Sequence, residues 1–126
     1  MTPQDLRYTK EHEWVSVDGD VATVGITDYA AHQLGDIVYV ELPELGRTID
    51  RSAAVGVVES VKAVSDLFAP VGGEVLETNP ILSSQPELVN ADPFGEGWML
   101  KVRLSDVGQL DELLDATAYA ELTKEA

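Results

Sequence analysis

The chain has 126 residues, 8 Lys+Arg against 23 Asp+Glu, a formal charge of −15 and no cysteine. That length suits one domain with a core of its own, and an apolar fraction of 44% argues against global disorder. So acidic a chain is repelled by phosphate backbones and anionic lipid, which disfavours nucleic-acid and membrane partners and points to basic protein surfaces. Without cysteine there is no disulfide framework, thiol nucleophile or thiolate metal site.

The first two-thirds reads as short strands punctuated by turns. Glu13-Trp-Val-Ser-Val17 alternates into Asp18-Gly19-Asp20, and Val21-Ala-Thr-Val-Gly-Ile26 resumes, the Asp-Gly pair marking a hairpin. Residues 27–34 read as a short helix, capped by Thr27 or Asp28 and ended by Gly35. From Asp36 to Leu42 strict alternation is expected, with Ile37, Tyr39 and Glu41 on one face and Val38, Val40 and Leu42 on the other, ended by Pro43. Further strands are expected near 47–50, 54–60, 64–69 and 74–77, with Gly and Pro at the bends, a spacing that argues for a barrel or sandwich.

Residues 79–97 are loop-rich, with one helical turn led by Pro86, and Trp98 to Leu104 forms a strand. The tail, about 105–125, is expected to be helical, with Leu110, Leu113, Leu114, Ala118 and Leu122 forming an apolar stripe that packs on the sheet. A single domain covers 1–126, its sandwich at about 20–104. No apolar run approaches the roughly 20 residues of a bilayer span, and the first residues carry no apolar or Arg-rich leader, so a cytoplasmic protein of bacterial type is expected.

Most catalytic constellations are missing. His12 and His32 stand apart with no His-x-x-x-His pair for zinc, and Asp18-Gly-Asp20 lacks the rest of a calcium loop, so no metal is expected. Gly95-Glu-Gly97 is not a dinucleotide fingerprint, and nothing places a serine on a nucleophile elbow. Free-standing enzymatic activity is therefore disfavoured.

Lys62 is the exception. Only four lysines occur, Lys10, Lys62, Lys101 and Lys124, and Lys62 alone lies between the first and third. It sits in Val57-Val-Glu-Ser-Val-Lys-Ala-Val-Ser-Asp66, on or beside a tight hairpin turn, with small or apolar neighbours unusual for a solvated turn. A primary amine held out in this way suits acylation by an enzyme that must enclose it. A loose echo between Val21-Ala-Thr-Val-Gly-Ile-Thr27 and Ala53-Ala-Val-Gly-Val-Val-Glu59 fits a quasi-symmetric pair of sheets.

These residues resemble the H protein family of the glycine cleavage system, nearly end to end. Tyr8-Thr-Lys-Glu-His-Glu-Trp14 resembles its opening, and Val24 to Ala30 followed by Leu34 to Pro43 its second block. Glu59-Ser-Val-Lys-Ala63 with Ser65-Asp66 and Pro70 resembles its lipoyl-attachment segment, and Asp92-Pro-Phe-Gly-Glu-Gly-Trp-Met99 its late block. The resemblance implies a mainly β barrel-sandwich hybrid of two antiparallel sheets, with short helices and a helical C-terminus. It implies lipoate in amide linkage on Lys62, with Glu59, Ser60, Val61 and Ala63 serving recognition by lipoylating enzymes.

It further implies a carrier with no active site of its own. Such a carrier takes the aminomethyl group of glycine from a PLP-dependent decarboxylase (P protein) to a tetrahydrofolate-dependent aminomethyltransferase (T protein). Dihydrolipoyl dehydrogenase (L protein) then reoxidises it. The loaded arm is an amine, cationic near neutral pH, and by family position Glu13 and Asp66 are its carboxylate contacts. Some family members have a histidine just before the Leu-Gly pair; here Gln33 holds that place and His32 is given no role. Two alternatives stay open, a lipoyl relay paralogue that donates lipoate to other complexes and an interaction domain whose lysine is never modified. A biotinyl carrier is disfavoured, because Val61 and Ala63, not methionines, flank the lysine.

Overall fold

Alternating apolar residues and tight turns build nine short strands in the computed structural model, which describes residues 5–123. Strands β1 (Arg7–Tyr8), β2 (Glu13–Asp18) and β3 (Val21–Ile26) come first, and the β2–β3 hairpin turns at Gly19, whose φ of 66° suits glycine. Helix α1 (Asp28–Leu34) starts at Thr27, whose hydroxyl accepts the Ala30 N–H at 3.1 Å, and ends at Gly35 with φ 85°. Then follow β4 (Ile37–Glu41), β5 (Thr48–Ile49), β6 (Ala54–Ser60), β7 (Val64–Phe68) and β8 (Gly73–Thr78). A 3₁₀ turn (Pro80–Ser83), α2 (Leu88–Ala91), β9 (Leu100–Leu104), a second 3₁₀ turn (Val107–Glu112) and α3 (Ala116–Thr123) complete the chain.

The strands form two antiparallel sheets, one of six strands in the order β1-β2-β3-β9-β8-β5 and one of three in the order β4-β6-β7. The expected two-sheet sandwich with short helices is what the chain adopts. Val24, Val75 and Val102 of the large sheet and Val58 and Leu67 of the small one are buried in a shared core, closed by Met99, Leu82 and Val89. Each such aliphatic side chain contributes about 1.5–3 kcal/mol on full burial.

Two expectations need correction. β4 does not alternate strictly: Ile37 pairs with Ser60 and Tyr39 with Glu59, so a β-bulge places Val38 as an extra residue between two consecutive pairs. Ile37 and Val40 are buried as a result, while Val38 and Tyr39 are both exposed. The tail is also not one striped helix from 105 to 125. A 3₁₀ turn is followed by extended Leu114, which exchanges backbone hydrogen bonds with Tyr8 at 2.8 and 2.7 Å, and only then by α3.

The physical reason is that the tail adds an edge bridge to β1, which a continuous helix could not do. The buried residues of α3 are accordingly Ala116 and Tyr119, whereas Ala118 and Leu122 face solvent. Lys124 and the last residues of the expected helix lie outside the described residues.

Tyr119 holds this segment down. Its ring stacks on Tyr8 with centroids 4.6 Å apart, and its hydroxyl lies 2.7 Å from Thr27 Oγ1 and 2.8 Å from His12 Nδ1. One phenol thus ties the C-terminal helix to the N-cap of α1 and to the turn before β2. Removing only that hydroxyl (Tyr119→Phe) is expected to cost about 1–3 kcal/mol in urea unfolding, because buried polar groups lose a partner. Tyr119→Ala is expected to cost about 3–5 kcal/mol.

Candidate functional site

The β6–β7 hairpin closes over only three residues, Val61, Lys62 and Ala63, and none has the positive φ that such short loops usually require. A side chain supplies the closure instead. The Ser60 hydroxyl oxygen accepts the N–H of Lys62 at 3.2 Å and of Ala63 at 3.0 Å, and the Ser60 N–H donates to the Ala63 carbonyl at 2.8 Å. Ser60 is buried while Val61, Lys62, Ala63 and Val64 are exposed, so the serine clamps the turn from beneath and the lysine stands above it.

The tip also leans on the corner between α1 and β4. The Val61 N–H donates to the Asp36 carbonyl at 3.0 Å. The Lys62 side chain passes so close over Gly35 that a Cβ there would lie 3.3 Å from Cε. Gly35 therefore serves twice, ending α1 at positive φ and leaving room for the lysine.

Asn90 on α2 fixes that corner. Its Oδ1 accepts the Ile37 N–H at 2.8 Å, and its Nδ2 donates to the carbonyls of Gly35 at 2.8 Å and Ala31 at 3.4 Å. The sequence reading missed this residue, and Asn in a loop-rich stretch gave it no signal, since its partners lie more than fifty residues away.

At the other end of β7 a cleft of about 360 Å³ opens between Tyr8, Thr9, Glu13, Ser52, Phe68 and Leu114. Glu13 is 2% exposed, and burial pushes its carboxyl up from the ordinary 4.5 to about 7, against hydrogen bonds from the Thr9 hydroxyl and the Phe68 backbone N–H. Thr9 is oriented for this task. Its oxygen accepts the N–H groups of Glu11 at 3.2 Å and Glu13 at 3.1 Å, which turns its proton to Glu13 Oε1 at 2.6 Å. Among the described residues no group of acidic and histidine side chains is arranged to hold a metal ion, and no helix is long and apolar enough to cross a membrane.

A family model described as Glycine cleavage H-protein matches residues 6–126. The chain belongs to that family. A glycine cleavage system H protein of Symbiobacterium thermophilum is 58% identical over 123 residues, covering 98% of this chain and 96% of the relative. One of Thermus thermophilus is 58% identical over 120 residues, covering 95% and 94%. A crystal structure of a glycine cleavage system H protein from Mycobacterium marinum superposes with a TM-score of 0.90 at 41% identity, covering 97% of this chain and 98% of that one. The H-protein family is that of the lipoate-bearing carriers of glycine cleavage, which shuttle among the P, T and L proteins.

Against this H-protein frame, Glu59, Ser60, Val61, Lys62 and Ala63 all sit on the one hairpin. Glu59 is half-exposed on the outer face of β6, between Tyr39 and Val64 in register. Asp66 is exposed on β7 opposite Val57, between the tip and the cleft along the strand, and is not in the cleft wall. Glu13 is in that wall, four β7 positions beyond Val64 through Phe68, about 13 Å at the rise of a strand. His32 is exposed on α1.

Because Glu13 has a raised pKa in the folded chain, the neutral form favours folding, and that stabilisation is lost as pH rises from 4.5 through about 7. Glu13→Gln removes the dependence, so its unfolding free energy is expected to gain about 2–3 kcal/mol on the native chain between pH 5 and pH 8, measured in urea. Asn90→Ala is expected to cost about 1–3 kcal/mol, with faster amide exchange at Ile37 and Val61 than elsewhere in the sheets.

Proposed function

We propose that this chain is the lipoyl carrier of its own glycine cleavage system and that Lys62 is the residue that bears the lipoate. The observation that carries the reading is the clamped turn, in which an exposed primary amine is presented by a backbone that Ser60 and Asp36 hold in place. The site fits the group: an amide at Nζ needs an accessible amine with small neighbours, and Gly35 and Ala63 leave it open. When bound, lipoate supplies a disulfide that receives the aminomethyl group and a dithiol that is later reoxidised, neither of which a cysteine-free chain has of its own.

The chain's own residues hold, present and shield. Tethering keeps the effective concentration of the arm high at whichever enzyme is docked, in the millimolar range for short flexible tethers. Glu13 in its cleft is placed to receive a cationic amine. A positive charge brought beside it favours the carboxylate, so docking an amine draws a proton off Glu13 near neutral pH. Asp66, along β7, adds negative charge on the path from tip to cleft. Ser60 has the turn-closing task described above, and Glu59, Val61 and Ala63 share the hairpin with Lys62, where a lipoylating enzyme reads them.

P, T and L proteins and lipoylating enzymes are the partners, and the acidic surface suits transient docking on basic patches. The chain then acts as a co-substrate, with the chemistry done by those enzymes. A lipoate-relay role shares every feature of the hairpin; the glycine cleavage relatives favour the shuttle.

Intact-mass analysis of the chain after expression with a lipoylating enzyme is expected to show one lipoyl increment, localised to Lys62. Lys62→Arg is expected to lose both the increment and all glycine-dependent carrier activity while its unfolding free energy stays within about 0.5 kcal/mol, as for exposed positions generally. An increment at another lysine, or full activity without one, would sink the reading.

A further inference from the structure

Four large apolar side chains lie exposed around the hairpin tip, and two of them come from outside it. Val61 and Val64 on the hairpin are 69% and 67% exposed, and Val38 and Tyr39 on β4 are 52% and 48% exposed. β4 and the hairpin are joined there by the Val61 N–H to Asp36 carbonyl bond, and Tyr39, Glu59 and Val64 form one cross-strand row. The bulge between Ile37 and Tyr39 is what exposes two consecutive residues of β4; regular pleating would turn one inward. Asp36, Glu41 and Asp66, all exposed, ring this surface, and Glu59 is half-exposed within it.

We propose that Val38, Tyr39, Val61 and Val64 form one composite docking face for the enzyme that acylates Lys62. That enzyme meets it with an apolar shelf bordered by Lys or Arg side chains. This rests on the reading of Lys62 as the attachment site. Charge complementarity argues for the basic border, since the surrounding exposed residues are acidic and the whole chain carries −15.

Position argues for the acylating enzyme over the enzymes that use the finished arm. Acylation forms an amide bond between Nζ and the acyl carbon of an activated donor, an acyl anhydride or thioester. It breaks the bond between the donor and its leaving group, and the lysine nitrogen gives up two protons, one on becoming the attacking amine and one as the amide forms, which pass to the leaving group and to water. The reacting atom is then Nζ itself, so the enzyme must cover the residues next to it. Enzymes that act on the far sulfurs of the arm react at atoms removed from the tip, so their chemistry does not require them to cover it. Tyr39 is the aromatic anchor of the face, the residue type that dominates such contacts. The recognition set is thus wider than the hairpin, and β4 belongs to it.

The test uses the full chain, purified without lipoate, with a lipoate ligase, ATP and lipoate, the rate being followed by intact mass. Val38→Ser/Tyr39→Ser, which changes only exposed positions, is expected to raise the KM for the carrier about tenfold or more with a smaller change in kcat. Its circular dichroism and unfolding midpoint should match the native chain. Glu41→Lys is expected to weaken the reaction and flatten its salt dependence.

Once fully acylated with excess ligase, the double variant is expected to support glycine decarboxylation at the native rate. Native acylation kinetics in both variants would overturn the proposal. So would normal acylation combined with loss of decarboxylation, which would assign the face to the glycine cleavage enzymes instead. A native chain that takes no acyl group would overturn the attachment reading and this proposal with it.

Discussion

β6 is hydrogen-bonded on both flanks, to β4 on one side and β7 on the other, and the presentation of Lys62 depends on that double pairing. A two-stranded ribbon is marginal in water and would let its tip wander. Here Val58 and Leu67 bury the inner face of the small sheet against the large one, so the strands leading into the turn are fixed by core packing. The final increment of order comes from polar groups, with Ser60 closing the turn from within and Asp36 and Asn90 bracing it from the α1–β4 corner. A flexible lysine side chain is thereby mounted on a rigid base, which confines its freedom to the side chain itself.

The cleft at the other end of β7 is built by different means. Its walls come from the turn before β2, the β5–β6 turn at Ser52, the end of β7 and the extended stretch at Leu114, four separate segments of the chain. The tail belongs to this wall because Tyr119 anchors it on Tyr8, His12 and Thr27. A buried carboxyl raised to about 7 costs stability increasingly as pH rises from 4.5 and in full above about 7, and such perturbed groups concentrate at functional sites.

The strands and turns of the sandwich were legible in the sequence because period-two alternation and Gly or Pro breaks are local signals, as at Val21–Ile26 and Gly35. Lys62 stands out in the sequence for its apolar neighbours and its isolation among lysines, and its exposed position at the hairpin tip follows from the same local turn signals. The β4 bulge was not, since nothing within Asp36 to Leu42 marks an extra residue and the partner strand lies some twenty positions on. The tail misled for the opposite reason. Its leucine spacing is truly helical in period, yet the pairing of Leu114 with Tyr8 outweighs a local preference. Asn90 and the burial of Glu13 were invisible because both depend on contacts that only the folded chain creates.

Among the described residues the small sheet ends in two margins, β4 and β7, each lacking a further strand on its outer side. Such margins invite a second copy to zip on edge to edge. Exposed Glu41 and Asp66 lie on those two strands, so two copies approaching margin to margin bring like charges together. The acidity that disfavours nucleic-acid partners thus also opposes the edge-to-edge pairing of two copies.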